Sequence, residues 1–464
     1  MCGIAGLIDF SKENIIEDLY EAIFHLQHRG QDSCGISTAN KKLYTIKGQG
    51  LVRYVFSVEK LMKLRGFLGL GHVRYPTTGN ITYNEIQPFY LNRPYGISIV
   101  HNGNIYNFME LKEYLEDKDI HLNSTSDSEL LLNLISYELE LNTKHMNLED
   151  NLHFVIKKIA IMCKGAYSVI LMIQNYGLIA FRDIHGIRPL IYGKKGNKYL
   201  ISSESICQQS LEYNELKNVE NGEMIIFRKD RLIKKIKYEE NSVYTPCIFE
   251  FIYISRCESV IDKVSVYLAR VKMGKYLAYN LKESLGDKLN DIDFVVPIPD
   301  TSRPSAIVVS KILNIPYYEI ITKNRYVSRT FIMDNEKRRR TSVKRKLGIV
   351  DGLAEGKNIL LIDDSIVRGN TIKHVIERLK KYKINKIYVA SCSPPIRYKN
   401  VYGIDIPTRE ELIANKMSIK DIKEYLGIDG LFFQKTEDLI RAIQDINPEL
   451  KNFDLSVFNG EYII

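Results

Sequence analysis

The sequence predicts an α+β sandwich followed by an α/β domain with a mainly parallel sheet. Up to about residue 235, short β-branched or aromatic strands crowd together with only two or three helices among them. Beyond that point strand and helix alternate, which is the grammar of a parallel sheet with crossover helices. The 464 residues suffice for two or three domains that each bury a core, and we expect the division at 2–235 and 236–464.

In the first half the expected strands are GIAGLI near the start, GISIV at 96–100, YSVILMI at 167–173, GLIAF at 177–181 and EMIIF at 223–227. Asn175 and Gly177 mark a hairpin between two of them. Helical periodicity spans Ile15 to Leu26 and Asp127 to Leu139, the second opening on Ser, Thr and Asp cap signals. Residues 232–246 are mostly polar and read as the linker. Thereafter IDFVVPIPD precedes SRPSAIVVSKIL, NILLIDDS precedes a helix from Asn370 to about Lys381, and KIYVASCS follows.

Apolar residues make up 45 % and charged residues 26 %, the balance of an ordinary globular chain rather than a disordered or fibrous one. Apolar runs fall far short of the ~20 residues of a membrane span, and MCGIAGLIDF lacks the basic region and cleavage site of a secretory signal. The seven cysteines are scattered without a CxxC pair, which disfavours a zinc site or a disulfide framework. A cytoplasmic protein with no membrane partner is expected. The net charge of +9 does not argue for nucleic acid, because much of the excess sits between Lys337 and Lys346, where seven of ten residues are basic.

Cys2 stands directly behind the initiator Met. With Met1 removed, its own α-amine (pKa ~8 when unperturbed) can accept the thiol proton, so no separate base is needed. Taken alone, Cys2 also reads as a small buried residue at a chain start. It is followed, however, by HRGQD at 28–32, GHVRYPTTG at 71–79, HNGN at 101–104 and TSDSE at 125–129. Together these strings resemble the glutamine amidotransferase domain of the N-terminal-nucleophile class. The resemblance implies that Cys2 attacks the glutamine amide and that the Asn102 side chain and Gly103 N–H hold the oxyanion. It also implies that Arg74 grips the α-carboxylate, Asp127 accepts from the α-ammonium, and Thr77 or Thr78 adds a hydroxyl, with Arg29 in support.

A second constellation lies in NILLIDDSIVRGNT at 358–371: an apolar strand, the pair Asp363-Asp364, then a Ser/Gly/Thr turn into a helix. Backbone N–H groups and hydroxyls at a helix N-terminus suit a phosphate, and adjacent carboxylates suit ribose hydroxyls or Mg²⁺. By itself the string also reads, less readily, as an exposed acidic turn. Neither GxxxxGK[ST] nor GxGxxG occurs, so ATPase and dinucleotide readings lose support. The string is similar to the signature of type I phosphoribosyltransferases. That resemblance places the 5′-phosphate of 5-phosphoribosyl 1-pyrophosphate on Ser365, Gly369 and Thr371, and the ribose on the acidic pair. The basic stretch from Lys323 to Leu347, with Lys323, Arg329, Arg339, Lys344 and Lys346, is similar to a lid over the pyrophosphate. PIPDTSRPSA at 297–306 puts Thr301 where the metal contact is expected, beside Asp363 and Asp364.

An N-terminal-nucleophile glutaminase sandwich followed by a type I phosphoribosyltransferase domain resembles the amidophosphoribosyltransferase family. CIFEFIYISR at 247–256, IDKVSVYLARVKMG at 261–274, SPPI at 393–396 and VYGIDIPTREELIA at 401–414 extend the likeness over nearly the whole chain. It implies glutamine-dependent transfer of ammonia to C1 of phosphoribosyl pyrophosphate, giving 5-phosphoribosylamine, glutamate and pyrophosphate, at the committed step of purine synthesis. It further implies Mg²⁺, feedback by purine nucleotides, a homodimer or homotetramer, and an internal ammonia passage for which Tyr326 and the Ser456–Tyr462 tail are candidates. Some relatives hold an iron–sulfur cluster on four Cys; here only Cys247 occupies such a position, against Asn400, Asp454 and Val457, so no cluster is expected. Two alternatives remain at this stage: a non-catalytic sensor of the same phosphorylated sugar, and another N-terminal-nucleophile amidotransferase.

Overall fold

The computed structural model describes residues 2–75, 82–324, 347–406 and 408–463. The chain divides into two compact units. One comprises Met1–Cys247, Val401–Asp405 and Ile463–Ile464; the other comprises Ile248–Asn400 and Ile406–Tyr462.

The first unit is built on two antiparallel sheets. The seven-stranded sheet runs in the order Asn214–Asn218, Ile191–Lys195, Lys198–Ser202, Gly3–Asp9, Leu68–Arg74, Ser33–Ala39, Leu43–Gln49. The six-stranded sheet runs Ile233–Lys237, Glu223–Arg228, Gly177–Arg182, Gly165–Ile173, Ile97–Ile105, Phe89–Leu91. Their inner faces share a core containing Ile4, Ile8, Leu68, Leu70, Val100, Ile170, Leu178 and Phe227. The helix Ile16–His25 covers the outer face of the larger sheet, and Asp127–Asn142 with Leu148–Met162 cover the outer face of the smaller. This is the expected α+β sandwich. The hairpin at Asn175 is present, with Ile173 paired to Gly177 and Asn175 at a φ of 62°.

Some strands escaped the sequence reading, for a physical reason. Leu68–Arg74 reads LGLGHVR, and its glycines are there for close approach. A Cβ on Gly69 would sit 2.6 Å from Leu19, and one on Gly71 would sit 2.4 Å from Ile23, so the helix lies directly on the bare backbone. Ser33–Ala39 is buried along its whole length and therefore lacks the alternation of a half-exposed strand. The stretch expected as a linker is not one. Within 232–246, Ile233–Lys237 pairs with Glu223–Phe227, Tyr238 is buried, and Thr245 N–H donates to the His185 carbonyl at 2.9 Å. Its lysines face water on an edge strand, which is why it looked like a solvated connection.

In the second unit four parallel strands follow one another in the order Phe294–Pro297, Asn358–Asp363, Lys386–Ser391, Gly430–Phe433. Successive residues of the central strand face opposite ways. Leu360 and Ile362 pack with Leu277, Leu281 and Val309, from the helices Val266–Leu285 and Arg303–Leu313. Ile359 and Leu361 pack with Ile372, Ile376, Leu379 and Ile422, from Asn370–Lys380 and Ile419–Leu426. Burial on both faces explains the unbroken apolar run ILLI.

Phe227 tests the sandwich. It is fully buried and meets Tyr192 and Tyr199 of the facing sheet at centroid distances of 5.6 and 5.5 Å. Phe227→Ala is expected to cost about 3–5 kcal/mol in chemical denaturation. A loss below about 1 kcal/mol would mean that this contact does not hold the sheets together.

Candidate active sites

Strand pairing brings the chain start into the first site. Gly3 pairs with Val73, so Cys2 comes level with Arg74 at the end of the neighbouring strand. The half-buried Cys2 is pinned through its backbone: its N–H donates to Asn102 Oδ1 at 3.2 Å, and its carbonyl accepts from Arg29 Nε at 3.0 Å. Arg29 is held in turn by an ion pair with the fully buried Glu204, whose same oxygen receives His28 Nε2 at 2.7 Å. Glu204 had no signal in the sequence; its string SSESIC is ordinary.

Asn102 lies on Ile97–Ile105, the strand whose sequence is ISIVHNGNI. Its Oδ1 is engaged by Cys2, while its buried Nδ2 has no hydrogen-bond partner among the described residues. A buried amide N–H without an acceptor is costly, so one standing beside Cys2 has the character of a donor kept for a ligand. The next residue must be glycine, because a Cβ on Gly103 would lie 1.9 Å from the Ala166 carbonyl oxygen.

Arg74 has the same half-used character. One terminal nitrogen donates to Glu85 Oε2 at 2.9 Å, while Nη1 is buried and unpartnered among the described residues. Glu85 is steadied by the Thr125 hydroxyl at 2.6 Å. Asp127 opens the helix Asp127–Asn142, and its Oδ2 accepts from the Ile105 N–H at 3.1 Å, two residues beyond Gly103. Thr77 and Thr78 lie outside the described residues.

Two further histidines flank the site, one in GHVRY and one in HNGN. His72 and His101 are both buried. Burial pushes both imidazoles down, His72 well below the usual range, with Arg74 adding to the effect there. They are therefore neutral near pH 7. His101 Nδ1 is 3.1 Å from the Ser128 hydroxyl, which ties the strand to the start of the Asp127 helix.

The second site lies at the carboxyl end of the central parallel strand. Asp363 ends that strand, and the Asp364 N–H donates back to Asp363 Oδ1 at 3.0 Å. The Ser365 hydroxyl donates to Asp364 Oδ1 at 3.0 Å, and the Thr301 side chain lies near enough to the same carboxylate to favour its charged form. Burial raises both carboxyls; the neighbouring Asp364 charge raises Asp363 further, while Ser365, Arg270 and Thr301 pull Asp364 back. Arg270 was missed by the sequence reading. It is 3 % exposed and donates to the carbonyls of Phe251 and Ser255 at 2.9 and 2.7 Å, fixing its charge near Asp364. Gly369 turns the chain with a φ of 77° into the helix Asn370–Lys380, which starts beside Thr371. Lys323 is exposed and pairs with Asp300 Oδ2 at 2.7 Å, next to Thr301. Arg329, Arg339, Lys344, Lys346 and Tyr326 lie outside the described residues.

The two folds with these sites define an enzyme that joins a glutamine amidotransferase to a phosphoribosyltransferase in one chain. Family models agree: a glutamine amidotransferase domain matches residues 78–208 and a phosphoribosyl transferase domain matches 267–421. Amidophosphoribosyltransferase of Escherichia coli is 44 % identical over all of this chain and 92 % of its own length, and that of Saccharomyces cerevisiae is 39 % identical with the same coverage. The solved structure of glutamine phosphoribosylpyrophosphate amidotransferase from B. subtilis, complexed with ADP and GMP, superposes with a TM-score of 0.87. It is 35 % identical and covers 99 % of this chain and 97 % of that one. The chain belongs to the amidophosphoribosyltransferase family, whose reaction is the first step of purine synthesis.

The buried histidines give a pH prediction. A base held below its unfolded pKa leaves the unfolded chain binding more protons, so stability is full above the unfolded value of ~6.5 and falls as pH drops below it. Each such group contributes a slope of about 1.4 kcal/mol per pH unit. His72→Gln is expected to flatten the loss between pH 6.5 and 5 by about that amount, measured by denaturant unfolding. An unchanged slope would mean that His72 is protonated in the fold.

Proposed function

We propose that the first unit hydrolyses glutamine at Cys2 and that the second transfers the released ammonia to phosphoribosyl pyrophosphate. The observation that carries this reading is a pair of buried donors without a partner among the described residues: Asn102 Nδ2, on the residue that accepts from the Cys2 N–H, and Arg74 Nη1, on the residue level with Cys2 in the neighbouring strand. One suits a developing oxyanion and the other a carboxylate, which together describe an amino acid with a side-chain amide.

Removal of Met1 gives Cys2 a free α-amine, which takes the thiol proton as sulfur attacks the glutamine amide carbon. Asn102 and the Gly103 N–H hold the oxyanion. Arg74 binds the α-carboxylate, Asp127 accepts from the α-ammonium, and Thr77 adds a hydroxyl contact. Collapse of the tetrahedral species passes the proton to the departing ammonia and leaves a thioester, which water hydrolyses to glutamate and free thiol. The glutaminase chemistry falls within 2–235 and the transfer within 236–464.

In the second unit Ser365, Gly369 and Thr371 hold the 5′-phosphate, Asp363 and Asp364 the ribose, and Lys323 and Arg329 the pyrophosphate. Ammonia displaces pyrophosphate from C1, giving 5-phosphoribosylamine. Two adjacent carboxylates with the Thr301 hydroxyl form an all-oxygen donor set suited to Mg²⁺ shared with a substrate. When bound, that ion would neutralise charge on the leaving pyrophosphate. The donors do not suit an iron–sulfur cluster, since only Cys247 among Cys247, Asn400, Asp454 and Val457 offers a thiolate. We extend the reading to feedback by purine nucleotides, a homodimer or homotetramer, a cytoplasmic setting and no nucleic-acid partner. Among the described residues, no helix is long and apolar enough to cross a membrane.

Pyrophosphate release from phosphoribosyl pyrophosphate and Mg²⁺, supplied with either glutamine or an ammonium salt, tests the scheme. Cys2→Ala should lose the glutamine-supported rate by about a thousandfold or more. Its ammonia-supported rate should stay within about twofold of wild type. Equal loss with both nitrogen sources would remove Cys2 from a separate first site. No release with either source from folded wild-type protein would favour the sensor reading.

A further inference from the structure

We infer that Val401–Asp405, a segment from the C-terminal half of the sequence, is a positioning element of the glutaminase site, and that it sets the direction of the Gly103 N–H. The inference rests on the reading of Asn102 and Gly103 as oxyanion donors. These five residues belong to the first compact unit, although the sequence on both sides of them belongs to the second.

The geometry is a clamp on Gly103. On one side stands the neighbouring strand, where the Ala166 carbonyl oxygen lies 1.9 Å from the place a Cβ would occupy. On the other stands Gly403, whose own absent Cβ would come 2.6 Å from the Gly103 oxygen and 2.8 Å from its carbonyl carbon. Gly403 has a φ of 96°, so a side chain there is opposed by both space and backbone conformation. Two bare backbones therefore pass at contact distance, with Gly403 against the Gly103 carbonyl group and the Ala166 carbonyl against its Cα, so the Gly103 backbone that carries the N–H is held between them.

Hydrogen bonds hold the segment in register along this strand. Asn104 Nδ2, one residue past Gly103, donates to the Val401 carbonyl at 2.8 Å. Arg188, fully buried, donates through Nε to the Tyr402 carbonyl at 2.9 Å. The Arg188 carbonyl accepts from the Ser168 hydroxyl at 2.9 Å, and Ser168 is the strand partner of Asn102. Tyr402 is itself fully buried and its hydroxyl donates to the Ile463 carbonyl at 2.8 Å. The bonds run from the segment directly to the strand that carries Asn102 and Gly103, and through Arg188 to the strand paired with it. An oxyanion donor acts only when it is aimed beforehand, because its value comes from not having to reorient as charge develops.

The test uses the full-length enzyme and the variants Gly403→Ala, Asn104→Ala and, as reference, Asn102→Ala. Glutaminase kcat and KM are measured beside inhibition by the aldehyde analogue of glutamine, which forms a tetrahedral adduct on Cys2. Alkylation of Cys2 by iodoacetamide and ammonia-supported pyrophosphate release complete the set. Gly403→Ala should lower kcat about tenfold or more, with KM within about twofold and aldehyde affinity falling in parallel with kcat. Alkylation and the ammonia-supported rate should stay within about twofold. Asn104→Ala, which deletes one hydrogen bond and adds no clash, should show the same pattern at about two- to tenfold, and it decides the matter if Gly403→Ala does not fold. Wild-type kcat and aldehyde affinity in folded Gly403→Ala, or in Asn104→Ala, overturn the inference. So does a fall in KM-limited binding or alkylation without a fall in aldehyde affinity. If Asn102→Ala also retains full kcat, the fault lies in the reading of the oxyanion hole itself.

Discussion

Everything in the first site depends on a backbone ladder. Cys2 lies just before the first residue of its strand, where pairing ordinarily frays. Here the strand it heads, Gly3–Asp9, lies in the interior of a seven-stranded sheet, bonded to Lys198–Ser202 on one side and Leu68–Arg74 on the other. The Ile4 N–H is taken by the Ser203 hydroxyl at 3.0 Å, and the Cys2 carbonyl by Arg29. Only with that ladder complete does the pairing of Gly3 with Val73 translate into a fixed relation between the Cys2 thiol and Arg74. Glycines at 69 and 71 belong to the same constraint, since they let a helix brace the strand that carries Arg74.

Buried charge is used differently in the two units. Arg29 with Glu204 and Arg74 with Glu85 are compensated pairs, and such pairs are a poor source of net stability because desolvation offsets their attraction. Their value is positional. Glu85 engages one terminal nitrogen of Arg74, and Nη1 is left buried without a partner among the described residues. In the second unit the charge is left in excess: Asp363 and Asp364 adjoin, burial raises both, and Arg270 acts on Asp364 from donors already committed to Phe251, Ser255 and Cys257. A site that keeps unneutralised carboxylates is suited to a cationic or hydroxyl-bearing ligand, and folding alone gives no reason to retain them.

The residues legible in the sequence were those that a backbone-directed chemistry forces into a short string. HNGN, DDSIVRGNT and the leading MCG each place several constraints within a few residues, so each left a readable mark. Their supports did not. Glu204 meets Arg29 from 175 residues away, and no local pattern announces a buried partner at that distance. Arg270 lies on a helix whose composition looks ordinary, and only the fold brings it near Asp364. The alternation of strand and helix in the second half was legible because Ile359 to Ile362 must be apolar on both faces. LGLGHVR and SCGISTA were not, because close helix packing and two-sided burial erase the pattern by which strands are recognised. Association of Val401–Asp405 with the first unit is a fact of topology alone.

The contrast between the two sites follows from the charge each must meet. A tetrahedral oxyanion is one charge that exists only during the reaction, and it is served by donors that cannot move. On the proposed reading the strand Ile97–Ile105 supplies them, with glycine where two backbones touch and an amide whose other end is already bound. A sugar phosphate brings permanent charge and must be admitted and released. Donors at a strand-to-helix turn suit it, because a helix start offers several free N–H groups at once without occupying a sheet edge. On the proposed reading, rigid β-structure stands where charge would be transient, and a loop running into a helix where charge would be resident. That division accounts for why asparagine and glycine mark the first site, while aspartate, serine and a run of basic residues mark the second.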